Sequence, residues 1–171
     1  VHADALAQRA GWPRFVSAQN QYNLLRRLPE AELLPMCAER NVGFLPYFPL
    51  AGGFLTGKYR PGQEAPAGTR GASGSGVVRR MREPRFEALL ADLEDFARAR
   101  GHTVGELAIA WLLSRPQVSS VMAGAMTPEQ VRANAAGAAW KLGADDAAAL
   151  DALTLPAALE QAMEPDLASF R

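Results

Sequence analysis

Apolar residues along this chain fall into two rhythms, short concentrated runs and longer stretches in which they recur every third or fourth position. Phe15-Val16-Ser17-Ala18-Gln19, Val42-Gly43-Phe44-Leu45-Pro46-Tyr47 and the run over residues 118–125 read as three strands. Each is followed by a helix-period stretch. Residues 29–41 carry Leu33, Met36 and Cys37 at helical spacing, with Gly43 just beyond. Pro35 inside that stretch predicts a kink, or a helix whose regular part begins close to it. Residues 83–100 place Phe86, Leu89, Leu90, Leu93 and Phe96 on one face, and residues 103–114 open with Thr103 and Glu106 as a capping box. Residues 4–10 read as the last turns of a helix closed by Gly11. Short buried strands alternating with amphipathic helices predict an α/β protein with parallel strands.

The third run leads into Thr127-Pro128-Glu129-Gln130. Thr127 caps, Pro128 suits the first helical position, and Gln130 stands where a capping box returns its side chain. A helix N-terminus at the end of a strand favours an anion such as phosphate. A capped surface helix with no ligand has the same local signature.

Residues 61–76 break the pattern, since Pro, Gly, Ser, Ala and Thr dominate and no period is visible. The stretch predicts a long loop leaving the end of the second strand, the face where α/β folds place ligands. It carries Arg70, with Lys58 just upstream, so it reads either as a phosphate-covering lid or as a solvated loop. Beyond Leu155 the periodicity weakens, Pro156 and Pro165 interrupt it, and residues 156–171 read as a tail without chemistry.

Composition narrows the function classes. The 171 residues are 49% hydrophobic and 21% charged, enough for one globular core. Eighteen basic residues balance eighteen acidic ones, which leaves no net field to draw nucleic acid or an anionic membrane. No apolar run reaches a membrane span, and a soluble, cytoplasmic protein is expected. With Cys37 alone and only His2 and His102, neither an intrachain disulfide nor a Cys/His zinc site can form, and Cys37 reads as a small buried hydrophobe. The chain starts with Val1 in what reads as mid-element, and the expectation is a fragment or a processed product.

Tyr47-Phe48-Pro49-Leu50-Ala51-Gly52-Gly53-Phe54-Leu55-Thr56-Gly57-Lys58-Tyr59 resembles the aldo-keto reductase superfamily, in particular the branch with the potassium-channel β-subunits and related bacterial reductases. Three further stretches agree in order and spacing: 16–25 with Gln19-Asn20-Gln21-Tyr22-Asn23, 107–113 with Ala110-Trp111, and 124–134 from Gly124 to Asn134. The resemblance covers most of the chain. It implies a (β/α)8 barrel with NADP(H) lying across the C-terminal mouth, of which this chain supplies the last three strands and their helices. A complete barrel has eight strands and about 250 residues. The family's catalytic Asp, Tyr, Lys and His belong to the part that precedes, so no catalytic residue is placed here.

The cofactor positions carry over one at a time. The resemblance makes Gln19 the amide that holds the nicotinamide carboxamide, and Tyr47 the aromatic on which the ring stacks. Phe48, Pro49, Leu50, Ala51 and Gly52 match the segment that wraps the pyrophosphate, with Phe48 where a serine is frequent. Lys58 and Arg70 match basic residues of the covering loop. Gly124 and Met126 match contacts to the adenosine phosphate, Gln130 a residue near the 2′-phosphate or ribose, and Asn134 the amide that reads adenine. Gln130 stands where an Arg is common and Ala133 where a Glu is, which thins the charge that distinguishes NADP from NAD. NADP(H) remains the expected cofactor, with NAD(H) less favoured, and Arg132 is expected to face solvent.

Two functions are consistent with this. One is reduction of aldehydes or ketones by hydride transfer in a full-length enzyme, this chain being inactive alone. The other is a non-catalytic dinucleotide-binding regulatory subunit, or an inactive truncated product. The expected partner is a small carbonyl substrate, with no nucleic acid and no membrane. Open sheet edges are expected to drive oligomerisation or complementation by the missing N-terminal half.

Overall fold

The computed structural model describes residues 2–60, 62–69, 71–73 and 83–162. Helices and short strands alternate: α1 (His2–Ala10), β1 (Ser17–Gln21), α2 (Leu33–Arg40), β2 (Gly43–Tyr47), α3 (Pro84–Arg98), α4 (Val104–Leu113), α5 (Pro128–Ala139) and α6 (Ala144–Ala162). Tight 3-10 turns occupy Leu28–Glu30 and Ala51–Thr56. β1 and β2 pair in parallel with Ser17 opposite Gly43, Gln19 opposite Leu45 and Gln21 opposite Tyr47. Side chains therefore sort into two faces. Ala18 and Phe44 join the core, while Gln19, Gln21, Leu45 and Tyr47 share the opposite face.

The third strand expected over residues 118–125 is not regular. This segment meets β2 through isolated parallel bridges, Phe44 with Val118 and Tyr47 with Met122. Four steps separate Val118 from Met122 and three separate Phe44 from Tyr47, so one residue bulges and the ladder cannot propagate. Nor is the run buried: Ser119, Ser120, Met122, Gly124 and Ala125 are exposed, while Val118 and Val121 pack partly against the core.

Chain chemistry explains the helix ends. Gly11 at φ 67° closes α1, with the Trp12 N–H donating back to the Ala7 carbonyl at 2.9 Å. The stretch expected as one helix over 29–41 divides into the Leu28–Glu30 turn and α2. Pro35 lies in the first turn of α2, where its missing N–H would have had no partner, so it starts the helix without kinking it. The end comes at Asn41, left-handed at φ 53° and ψ 47°, with Gly43 just beyond it. Thr103 and Glu106 form the expected capping box on α4, the Thr103 hydroxyl accepting from the Glu106 N–H at 3.2 Å and the Glu106 carboxylate from the Thr103 N–H at 2.9 Å. α6 continues past Leu155 and through Pro156 to Ala162.

α4 is the central helix, buried at Val104 and at every position from Leu107 to Leu112. Tyr22, Leu24, Leu25, Phe44, Phe54, Phe86, Leu93 and Trp111 close around it. α5 lies against α4 at Gly137, where a Cβ would come within 3.0 Å of the Glu106 Cα and carbonyl oxygen and of the Ile109 Cβ. Two arginines flank Trp111, and Asp151 on α6 accepts from the Trp111 indole at 3.0 Å and from Arg115. Burial alone would push the Asp151 carboxyl up, but Arg115 and Trp111 hold it below the ordinary carboxylate range.

Candidate functional site

Strands this short end together, and what leaves their C-terminal ends shares one side of the sheet. Gln21 and Tyr47 stand opposite one another at that end, Met122 bridges to Tyr47 from the other side, and Gln19 lies one layer below beside Leu45. Gln19 is exposed and Tyr47 half-buried. The register thus brings the expected carboxamide and aromatic residues onto one face, and adds Gln21, which the sequence did not single out.

Directly after Tyr47 the backbone turns through unusual geometry. Phe48 has φ 62°, Ala51 φ 48°, Gly52 φ 70° and Gly53 φ 95°. Positive φ in a bulky residue is rare and costs about 1–3 kcal/mol unless its surroundings impose it. Here they do. The Phe48 carbonyl accepts from the Ala51 N–H at 3.1 Å and from the side-chain amide of buried Asn23 at 3.0 Å. Leu50 accepts from the Gly53 and Leu55 N–H groups, at 2.8 and 3.2 Å, and Pro49 and Ala51 are buried.

Lys58 folds back over this turn. A Cβ on Gly53 would lie 2.6 Å from both Cε and Nζ of Lys58, so the ammonium crosses the open side of the glycine, and it stands 5.3 Å from the centre of the Tyr59 ring. Tyr59 is buried, its hydroxyl donating to the Gly52 carbonyl at 3.5 Å and accepting from the Gly71 N–H at 3.2 Å. That phenol ties Gly71, in the second half of the long loop, to the 48–53 turn. Pro61, Arg70 and residues 74–76 of the loop lie outside the described residues.

The remaining positions gather at the start of α5. Thr127 accepts from the Gln130 N–H at 3.4 Å, and the Gln130 side-chain oxygen accepts from the Met126 N–H at 2.7 Å, one residue earlier than a capping box requires. Met126 is 93% exposed, and nothing stands within 4 Å of a Cβ built on Gly124. Arg132 faces solvent as expected, paired with Glu129 at 3.3 Å. One turn further along, half-buried Asn134 lines a groove of about 350 Å³ with Ile109, Leu113, Val121 and Val131. Among the described residues, the Tyr47–Met122 bridge connects this group to the 48–58 group.

Sequence reasoning missed Asn23 and Tyr59 as well as Gln21. Asn23 leaves no separate signal, because it follows the amides Gln19, Asn20 and Gln21 ahead of the apolar pair Leu24-Leu25.

Residues 2–154 match the Aldo/keto reductase family. Among curated proteins the chain is similar to versiconal hemiacetal acetate reductase of Aspergillus parasiticus, 29% identical over 90% of this chain and 44% of that protein. It is similar to protein tas of Escherichia coli, 34% identical over 86% of this chain and 42% of that protein. A probable voltage-gated potassium channel subunit beta of Arabidopsis thaliana is 35% identical over 68% of this chain and 36% of its own length. The chain thus spans less than half the length of each of these relatives. Parallel strands followed by helices, a shared C-terminal rim and a match over residues 2–154 lead to one statement: the chain belongs to the aldo/keto reductase family and folds as part of its (β/α)8 barrel.

Proposed function

We propose that this chain forms the nicotinamide-dinucleotide side of a reductase that converts aldehydes or ketones to alcohols with NADP(H). The observation that carries the reading is the turn of residues 48–53, with four positive φ angles and a lysine ammonium drawn across Gly53 at the mouth of parallel strands. Small residues and left-handed backbone make a concave surface on which amide dipoles can meet phosphate oxygens. The residues fit the group. Tyr47 offers a ring face, Gln19 an amide with both donor and acceptor, Lys58 a charge at the turn, and Asn134 an amide in a groove it lines with Ser119, Ser120 and apolar side chains. Gly124, Met126 and Gln130 lie at a helix start suited to a phosphate, and Arg70 is proposed to add charge from the loop.

In this reading the nicotinamide supplies the hydride. The chain's own part is to orient the ring on Tyr47 and Gln19, to hold the pyrophosphate between residues 48–53 and Lys58, and to seat the adenine beside Asn134. The proton donor to the carbonyl oxygen is proposed to come from sequence outside this chain. The likeness to a channel β-subunit supports a second reading, in which the same dinucleotide site serves regulation. A cytoplasmic setting and a small carbonyl substrate accompany the first reading.

Fluorescence titration of the purified chain with NADPH and with NADH tests this. Saturable NADPH binding, weakened about tenfold by Lys58→Ala, is expected from loss of one charge-assisted phosphate contact. A folded chain that binds neither nucleotide would overturn the proposal for this chain.

A further inference from the structure

We propose that Asn23 is a positioning residue for the phosphate-facing turn, fixing the Phe48–Pro49 peptide so that its carbonyl points away from the bound anion. This rests on the reading of residues 48–53 as the pyrophosphate segment. Proline contributes no N–H, so the Phe48–Pro49 peptide offers only an acceptor. Turned toward a phosphate, that oxygen would set lone pairs against negative charge. Instead it accepts twice on the protein side, from the Ala51 N–H at 3.1 Å and from Asn23 Nδ2 at 3.0 Å.

Asn23 is built to hold this geometry. It is 1% exposed, its Oδ1 accepts from the Leu25 N–H at 3.0 Å, and its backbone exchanges hydrogen bonds with Arg26 at 3.2 and 3.0 Å. The side chain is therefore locked before it reaches Phe48. The grip is needed because Phe48 is bulky, precedes a proline and has φ 62°, a combination that the chain does not adopt unaided. Asn23 acts through Phe48 and does not itself reach the turn's outer surface.

The test combines Asn23→Ala and Asn23→Asp with the same changes in a Phe48→Gly background, because glycine takes positive φ without strain. Asn23→Asp keeps the oxygen that caps Leu25 and replaces the donor facing Phe48 with an acceptor. In the nucleotide-free chain, backbone NMR is expected to show Phe48 leaving positive φ in both single variants, with β1 and β2 signals unmoved. NADPH binding is expected to weaken about tenfold. Binding of 2′,5′-ADP, which lacks the pyrophosphate bridge, changes less than about twofold on the same scale. In the Phe48→Gly background the Asn23→Ala change is expected to cost little.

Equal weakening of both nucleotides without rescue by glycine would make Asn23 merely structural and overturn the proposal, as would a Phe48 backbone unmoved in Asn23→Ala. Should Asn23→Ala fail to fold, the double variant decides: recovery of a folded chain supports the proposal and continued failure defeats it. If the parent chain binds neither nucleotide, the reading of the site has failed, while the Phe48 signal still reports whether Asn23 imposes the turn.

Discussion

At the scale of single residues, Gly53 carries the sharpest constraint in the turn. Its φ of 95° disfavours any side chain, and a methyl group there would displace the Lys58 ammonium. Gly53→Ala is expected to destabilise the chain by about 1–2 kcal/mol through backbone strain. It should weaken NADPH binding as well, because Lys58 loses its path across the turn. Urea unfolding and nucleotide titration of the same sample check both parts, and an unchanged midpoint would show that the turn relaxes without strain. Gln19, Tyr47, Lys58 and Asn134 were singled out through the family resemblance of the stretches they sit in, and residue identity alone would not have marked them. Asn23 escaped because its work is done through a carbonyl twenty-five positions away, and a main-chain acceptor leaves no mark in the sequence.

Among elements, the contact of α4 with α5 turns on Gly137. An alanine there would gain about 1 kcal/mol of helix propensity. It would also meet the Glu106 backbone at 3.0 Å, which cannot swing aside as a side chain could, and overpacking of this kind costs about 1–3 kcal/mol. The expected net effect of Gly137→Ala is a loss of about 1 kcal/mol, seen as a lower Tm in a thermal melt. A rise in Tm would mean that the helices separate at no cost. Helices were the most legible elements because their caps and periodicity are local: Thr103 with Glu106 and the apolar face of α3 stand as read. Pro35 and Asn41 show the limit. Helical spacing placed a helix there, but its start and stop depended on which turn received the proline and on which residue turned left-handed.

For the molecule as a whole, one charged network joins distant parts of the chain. Arg27, buried after β1, donates to Glu30 at 2.8 Å and to Thr154 on α6 at 3.1 Å, and it pairs with Asp151 at 3.0 Å. Asp151 titrates below its ordinary value of 3.8 in the folded chain, so its stabilisation is fully present above that pH and fades as pH falls through the lower folded value. Asp151→Asn is expected to cost about 1–3 kcal/mol at neutral pH. The gap between variant and parent in Tm should close as the solution is acidified below about pH 4. A gap independent of pH would remove Asp151 ionisation from the account. The pairings of Arg27 with Thr154 and Asp151 were not visible in sequence, because partners more than a hundred positions apart meet only after the helices pack.

The extra residue between Val118 and Met122 has an effect that reaches the rim. On an unbroken strand, positions four apart point the same way. Here Val118 is level with Phe44, on the helix side, and Met122 is level with Tyr47, on the other. The bulge is thus an inversion of phase: it lets one segment begin as part of the core and finish as part of the mouth. Without that inversion the extra residue would leave Met122 pointing inward beside Val118; removing one residue instead would restore a regular ladder with Met122 still level with Tyr47.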